Sequence, residues 1–150
     1  MLGFDFFSRR VCELLATYGL VPNKTYITKW IDAIPEEYEN HFIRGIFDGD
    51  GSVFISGNRI HFSVCGTYNV LEQMQKRINQ SIYISKKNIK GSLHKGHGKH
   101  VWELVYSGNI SVKPIFYYLY YNSNTTTRLN RKYEKFSKWF KDNIDETLDI

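Results

Sequence analysis

Cysteine is nearly absent from this chain. Two occur in 150 residues, Cys12 and Cys65, far apart in sequence. That excludes a disulfide scaffold and fits a reduced, intracellular protein, in cytoplasm, nucleoid or organelle. Proline is also scarce, at three, and no low-complexity tract or long internal repeat is visible. No apolar run approaches the ~20 residues that a membrane-spanning helix needs. The opening MLGFDFFSRR carries Asp5 inside its short apolar stretch, and no apolar run follows. Neither a secretory leader nor an anchor is expected there. Acids are in the minority, 15 against 20 Lys and Arg, for a net charge of +5. Several of them crowd into the stretch Asp142–Asp149, so the rest of the chain is more basic than the total implies. This balance points to an anionic partner, with nucleic acid first.

Aromatic residues, by contrast, are plentiful at 16%, and 42% of the chain is hydrophobic. That is enough for one domain with a real core, and the abundance of Tyr and Phe favours sheet surface as well as helix. Phe4, Phe7, Val11, Leu14 and Leu15 recur at helical spacing, closed by Gly19. Residues 20–34 read as a connector containing Pro22. Pro35 suits the first turn of a second helix, with Glu36 and Glu37 at its positive end, running to about Asp48. Ser52–Ile55 and Asn58–Val64 read as two strands around a tight turn. Ile60, Phe62 and Val64 alternate with Arg59, His61 and Ser63. Asn69–Asn79 is predicted helical on Val70, Leu71, Met74 and Ile78. Ile82–Ile89 and His100–Ser107 are predicted as a second strand pair, and a last helical region runs from near Pro114 to Lys141, interrupted around Asn122–Thr127. The expected architecture is α+β with a four-stranded antiparallel sheet. It divides into an N-terminal helix and connector (1–34), a main domain (35–141) and an acidic tail (142–150).

The segment Ile43–Gly51, IRGIFDGDG, carries the chemistry. Gly45 and Gly49 share one helix face, although each glycine destabilises a helix by about 1 kcal/mol relative to alanine. A second helix packed backbone to backbone would offset that. Asp48 and Asp50 sit at the helix C-terminus, facing the negative end of its dipole, which is unfavourable without a cation. Together these features point to a metal site at a helix–helix seam.

FIRGIFDGDGS, at Phe42–Ser52, resembles the LAGLIDADG motif of homing endonucleases and related maturases. The match holds at Gly45 and Gly49, at both acids and at Gly51. Its approach, IPEEYENH, is similar to that of many members. YGLVPNKT at Tyr18–Thr25 and RLNRKYEKF at Arg128–Phe136 resemble an earlier turn and a late signature of the family. The resemblance implies a helix–strand–strand–helix–strand–strand–helix fold whose sheet forms a saddle over the DNA major groove. It implies Asp50 as ligand of a divalent metal, usually Mg²⁺, assisted by the Gly49 carbonyl, with Asp48 as a structural acid. Lys132 becomes the candidate basic catalytic residue near the scissile phosphate. Arg59, His61 and Ser63 become candidate base contacts, joined by Lys86 and Trp102 on the second strand pair, with Trp102 reading equally well as core. Only one motif is present, so cutting both strands requires a homodimer or a partner chain carrying the other motif.

Other features read more plainly. His94, His97 and His100 lie in KGSLHKGHGKH, a Gly-rich, Lys-rich stretch that suits a flexible hairpin tip better than a rigid zinc site. Lys95 and Lys99 in it are placed to touch phosphate, which supplies affinity rather than specificity. Tyr117, Tyr118, Tyr120 and Tyr121 read as core packing. Ser63 stands where some members carry an assisting polar residue, often Gln. With the single motif, it keeps open a second expectation, a DNA- or RNA-binding module that does not cut.

Overall fold

The computed structural model describes residues 8–18, 27–81, 89, 91–98 and 100–143. Among these, helix α1 (Arg9–Thr17) stands first, its Ser8 side chain accepting from the Val11 N–H. The part of the predicted first helix before Ser8, its Gly19 stop, Pro22 and residues 144–150 of the acidic tail lie outside the described residues. A short 3₁₀ turn, Glu36–Tyr38, leads into α2 (Glu39–Asp50). Then follow β1 (Gly51–Ser56), β2 (Arg59–Gly66), α3 (Tyr68–Gln80), β3 (Ser92–Lys95), β4 (Trp102–Ser107), α4 (Asn109–Tyr120) and α5 (Asn130–Asn143). The fold is α+β, and the four strands form one antiparallel sheet in the order β1-β2-β4-β3. No helix among the described residues is long and apolar enough to cross a membrane.

Local chemistry explains the elements. Gly57, at φ +57°, makes the two-residue β1–β2 turn that an L side chain would strain. Thr67 caps α3 by accepting from the Val70 N–H, and its hydroxyl donates to the Thr28 carbonyl at 2.6 Å. Val70, Leu71, Met74 and Ile78 are all buried, as their spacing predicts.

Three expectations are corrected. The strand that pairs with β4 is Ser92–Lys95, inside the stretch read as a glycine-rich tip. Residues 82–88, the bulk of the strand expected at Ile82–Ile89, lie outside the described residues. Gly91 is the reason the chain can run there, because a Cβ on it would lie 2.5 Å from Tyr106 Cζ. The late helical region begins at Asn109, five residues before Pro114, because Gly108 at φ +84° turns the chain out of β4. Pro35 precedes the 3₁₀ turn, and the α-helix proper starts four residues later.

All the buried helix faces pack on one side of the sheet. Ile43 and Phe47 of α2, Met74 of α3, Ile115 and Leu119 of α4 and Phe136 of α5 meet Ile60, Phe62, Val64, Leu104 and Tyr106. Phe47 stacks on Phe62 with ring centroids 4.5 Å apart. Trp30 joins this core from the connector: its N–H donates to Asn69, and its ring lies edge-on to Phe42 and under the Arg77 guanidinium. The tyrosine cluster divides, with Tyr120 buried in the core and Tyr121 exposed.

Candidate metal corner and nucleic-acid face

Helix α2 has two unlike sides. Asn40, Ile43, Arg44 and Phe47 are buried. A Cβ added to Gly45 or Gly49, on the opposite side, would meet nothing within 4 Å. Among the described residues, then, nothing uses the close approach that these glycines permit. Gly51 differs, since a Cβ there would lie 2.6 Å from the Phe47 carbonyl oxygen and deep in the Phe47 ring. Here glycine is required by crowding, not by φ.

The helix ends in a dense polar knot. The Arg44 guanidinium is buried and donates to the Leu119 carbonyl at 2.7 Å and the Thr127 carbonyl at 3.1 Å, tying α2 to the end of α4. Asp48 accepts from the Tyr120 hydroxyl at 3.0 Å and from the Leu129 N–H at 2.9 Å. The Leu129 carbonyl in turn accepts from the Lys132 and Tyr133 amides. Leu129 therefore opens α5, and Asp48 occupies that helix's positive end, which offsets its unfavourable place at the end of α2. Burial and the neighbouring Asp48 carboxylate push the Tyr120 hydroxyl far above its ordinary pKa, so it stays a donor.

Lys132 is buried, only 4% exposed. Its ammonium donates to the carbonyls of Phe47, Asp48 and Gly51, the last at the start of β1, and lies 4.8 Å from the Phe47 ring centroid. All three of its protons are used on backbone. Desolvation and Arg131 lower its pKa, opposed by Asp48 and Asp50. The sequence offers Lys132 as a phosphate contact, whereas its place in the fold is a cap on the motif helix.

Asp50 is the exception in this knot. It is exposed, and its carboxylate has no hydrogen-bond or ion-pair partner among the described residues. Its charge is felt by the Cys65 thiol, which partial desolvation, then Glu103, then Asp50 hold above its usual pKa. No group of three or more His, Cys, Asp and Glu among the described residues could hold a metal ion. Mg²⁺ keeps several waters and needs only one or two carboxylates beside phosphate oxygens. Asp50 with the Gly49 carbonyl matches part of that donor set.

The sheet face away from the helices is assembled by the register. Cys65, Glu103 and His94 form one row across β2, β4 and β3; Ser52, Ser63, Val105 and Ser92 form the next; Phe54, His61 and Ser107 a third; Ser56 and Arg59 the last. These side chains are mainly small and polar, with one exposed ring, Phe54, stacked on His61 at 4.8 Å. His61 is also held by the Ser107 hydroxyl at 2.8 Å. Ser63, 4% exposed, donates its hydroxyl to Glu103. Arg59, His61 and Ser63 thus share the open face, as their alternation predicts. Trp102 and Lys95 do not. Trp102 is opposite Gly66 and Lys95, two residues along from Leu104, so both point to the helix side. Trp102 packs edge-on to Tyr68 at 4.8 Å, on the face away from Arg59, His61 and Ser63. Lys95 stays exposed at the strand end. Lys86 and Lys99 lie outside the described residues. Glu103, the carboxylate at the middle of the face, was not singled out by sequence reasoning; its signal is an acid in the otherwise apolar run Trp102–Tyr106.

Comparison with protein-family models, with curated proteins and with solved structures returns no match to this chain.

Proposed function

We propose that this chain is a metal-dependent, site-specific double-stranded DNA endonuclease of the LAGLIDADG homing kind. It acts as a homodimer through the Gly45–Gly49 face of α2, or with a partner chain that carries a second motif. The observation that carries this reading is Asp50, an exposed carboxylate without a partner among the described residues, at the end of the helix whose Gly45–Gly49 face none of those residues covers. The neighbouring Asp48 and Lys132 are both engaged within the chain. The order of elements and the antiparallel sheet with one bare face support the saddle architecture that the resemblance implies.

In this reading Asp50 and the Gly49 carbonyl would be the residues of this chain that hold Mg²⁺. A divalent cation there supplies electrostatic stabilisation of the reacting phosphate. Asp48 and Lys132 are positioning residues. The first pins α5 to the end of α2, and the second fixes the three carbonyls around Asp50 so that its carboxylate projects from a rigid corner. Lys132 in this conformation donates all three of its protons to backbone carbonyls and has none left for a phosphate. Arg59 and His61 meet the duplex from the open face.

A second reading is favoured by Lys132 and Ser63: with Lys132 used on backbone and Ser63 on Glu103, the chain would bind DNA or RNA without cutting. A cleavage assay on a randomised duplex library separates the two. Cutting in Mg²⁺ that stops in EDTA and in Asp50→Asn supports the nuclease. Salt-sensitive binding by both proteins, with no cutting by either, supports the binding module.

A further inference from the structure

We infer that Glu103 is a specificity-determining residue: its carboxylate accepts from the exocyclic amine of one base in the major groove, cytosine N4 in particular. The inference rests on the nucleic-acid reading above and names what one position of that face selects.

Glu103 lies on β4, one of the two central strands, on the bare face of the sheet. It is the one carboxylate among the described residues of that face. One oxygen accepts the Ser63 hydroxyl, and the other lies 3.3 Å from His94 Nε2. Its side chain nevertheless remains 30% exposed. The group is therefore held from two flanking strands and still reachable from above, as a preorganised contact should be.

A carboxylate in the middle of a surface meant for a polyanion repels every phosphate equally, and so weakens binding to all sequences. It becomes favourable only against a donor. In the major groove the donors are the cytosine N4 and adenine N6 amines, while guanine and thymine present acceptors at the corresponding places. An ionised carboxylate only accepts. Adenine sets its N7 acceptor beside the N6 amine, so the second carboxylate oxygen would face a lone pair. Cytosine sets a C–H beside N4. The geometry of the group thus favours cytosine over adenine, and both over guanine and thymine.

The test is selection of bound duplexes from a randomised DNA library at fixed salt, with wild type, Glu103→Gln, Glu103→Ala and Ser63→Ala, each checked for an unchanged thermal melt. Wild type is expected to show one position with a cytosine preference of about five- to 150-fold, the range of a good direct base contact. Glu103→Gln should change that position to adenine, because a carboxamide pairs with N6 and N7 together. Glu103→Ala should level it, losing affinity for the cytosine-bearing duplex and gaining it for duplexes with guanine or thymine at that position. Ser63→Ala should weaken the same preference without moving it, since one tether is lost. Superimposable profiles for wild type and both Glu103 variants, with duplex still retained, would overturn the inference alone. Failure of all four proteins to retain duplex would remove the nucleic-acid reading and the inference together.

Discussion

Replacing Lys132 by methionine separates a cap from a catalyst. Methionine keeps the unbranched stem that lies against Phe47 and removes the ammonium. Three carbonyls, those of Phe47, Asp48 and Gly51, then lose their donor in a site where Lys132 itself is only 4% exposed. Hydrogen bonds from a charged group contribute about 1.5–3 kcal/mol each. Against this, the variant no longer desolvates an ammonium. Each buried carbonyl left without its donor costs about 1–3 kcal/mol, so with the ammonium's desolvation relieved a net loss of about 3–5 kcal/mol is expected. For a chain of this size each kcal/mol lowers the melting temperature by about 2–4 °C, so a fall of about 6–20 °C is expected. Calorimetry or a melt followed by circular dichroism reads it directly. Asp50→Asn is the control, an exposed side chain with no partner among the described residues, expected to stay within about 2 °C of wild type. A Lys132→Met protein that melts with wild type but has lost cutting would refute the capping role and restore Lys132 to the chemistry.

Two glycines of the motif should respond in opposite ways. Gly51→Ala puts a methyl 2.6 Å from the Phe47 carbonyl oxygen and should cost about 1–3 kcal/mol of overpacking, read by urea denaturation. Gly45→Ala meets nothing among the described residues and should gain about 1 kcal/mol of helix stability in the monomer, while sedimentation on duplex DNA should show weaker pairing of chains. Cys65 is exposed and its thiol is held above the usual pKa by partial desolvation, Glu103 and Asp50. Site-resolved alkylation at mildly alkaline pH should therefore be slow in wild type, and faster in Asp50→Asn or when Mg²⁺ neutralises Asp50; an unchanged rate with Mg²⁺ would argue against a cation there. His41 accepts from Arg44 through Nδ1, and burial first, then Arg44, lowers its pKa. The unfolded imidazole binds its proton at higher pH than the folded one, so stability is full above about pH 6.5 and falls as pH drops below it. The melting temperature should decline between about pH 7 and pH 5, and less steeply in His41→Gln, which keeps an acceptor without the titration.

Much of the fold was legible because its periodicities are undiluted. Val70, Leu71, Met74 and Ile78 can only be one helix face, and Ile60, Phe62 and Val64 can only be one strand face. What hid β3 was composition: Ser92–Lys95 is short, flanked by Gly91 and Gly96, and its alternation is carried by Leu93 alone. Gly91 looks like punctuation in a sequence, while in the fold it makes room for the Tyr106 ring. The faces of Trp102 and Lys95 follow from inter-strand register, which a single strand does not encode. Asp50 was legible as an acid in the wrong place for its helix, and Asp48 looked the same. Only the fold shows that Asp48 is compensated by the start of α5 and Asp50 is not. Lys132 was legible as a cation near the motif, but the direction of its ammonium depends on α5 crossing the end of α2.

The central claim is that Asp50 of two chains serves one duplex, one strand each. The most direct measurement mixes wild type with Asp50→Asn in equal amounts on a supercoiled plasmid carrying a duplex that wild type cuts. Mixed dimers should nick, so open circles should accumulate in the mixture and not with either protein alone. A mixture that yields only less linear product and no open circles, or a wild-type chain that cuts no duplex in Mg²⁺, would contradict the claim.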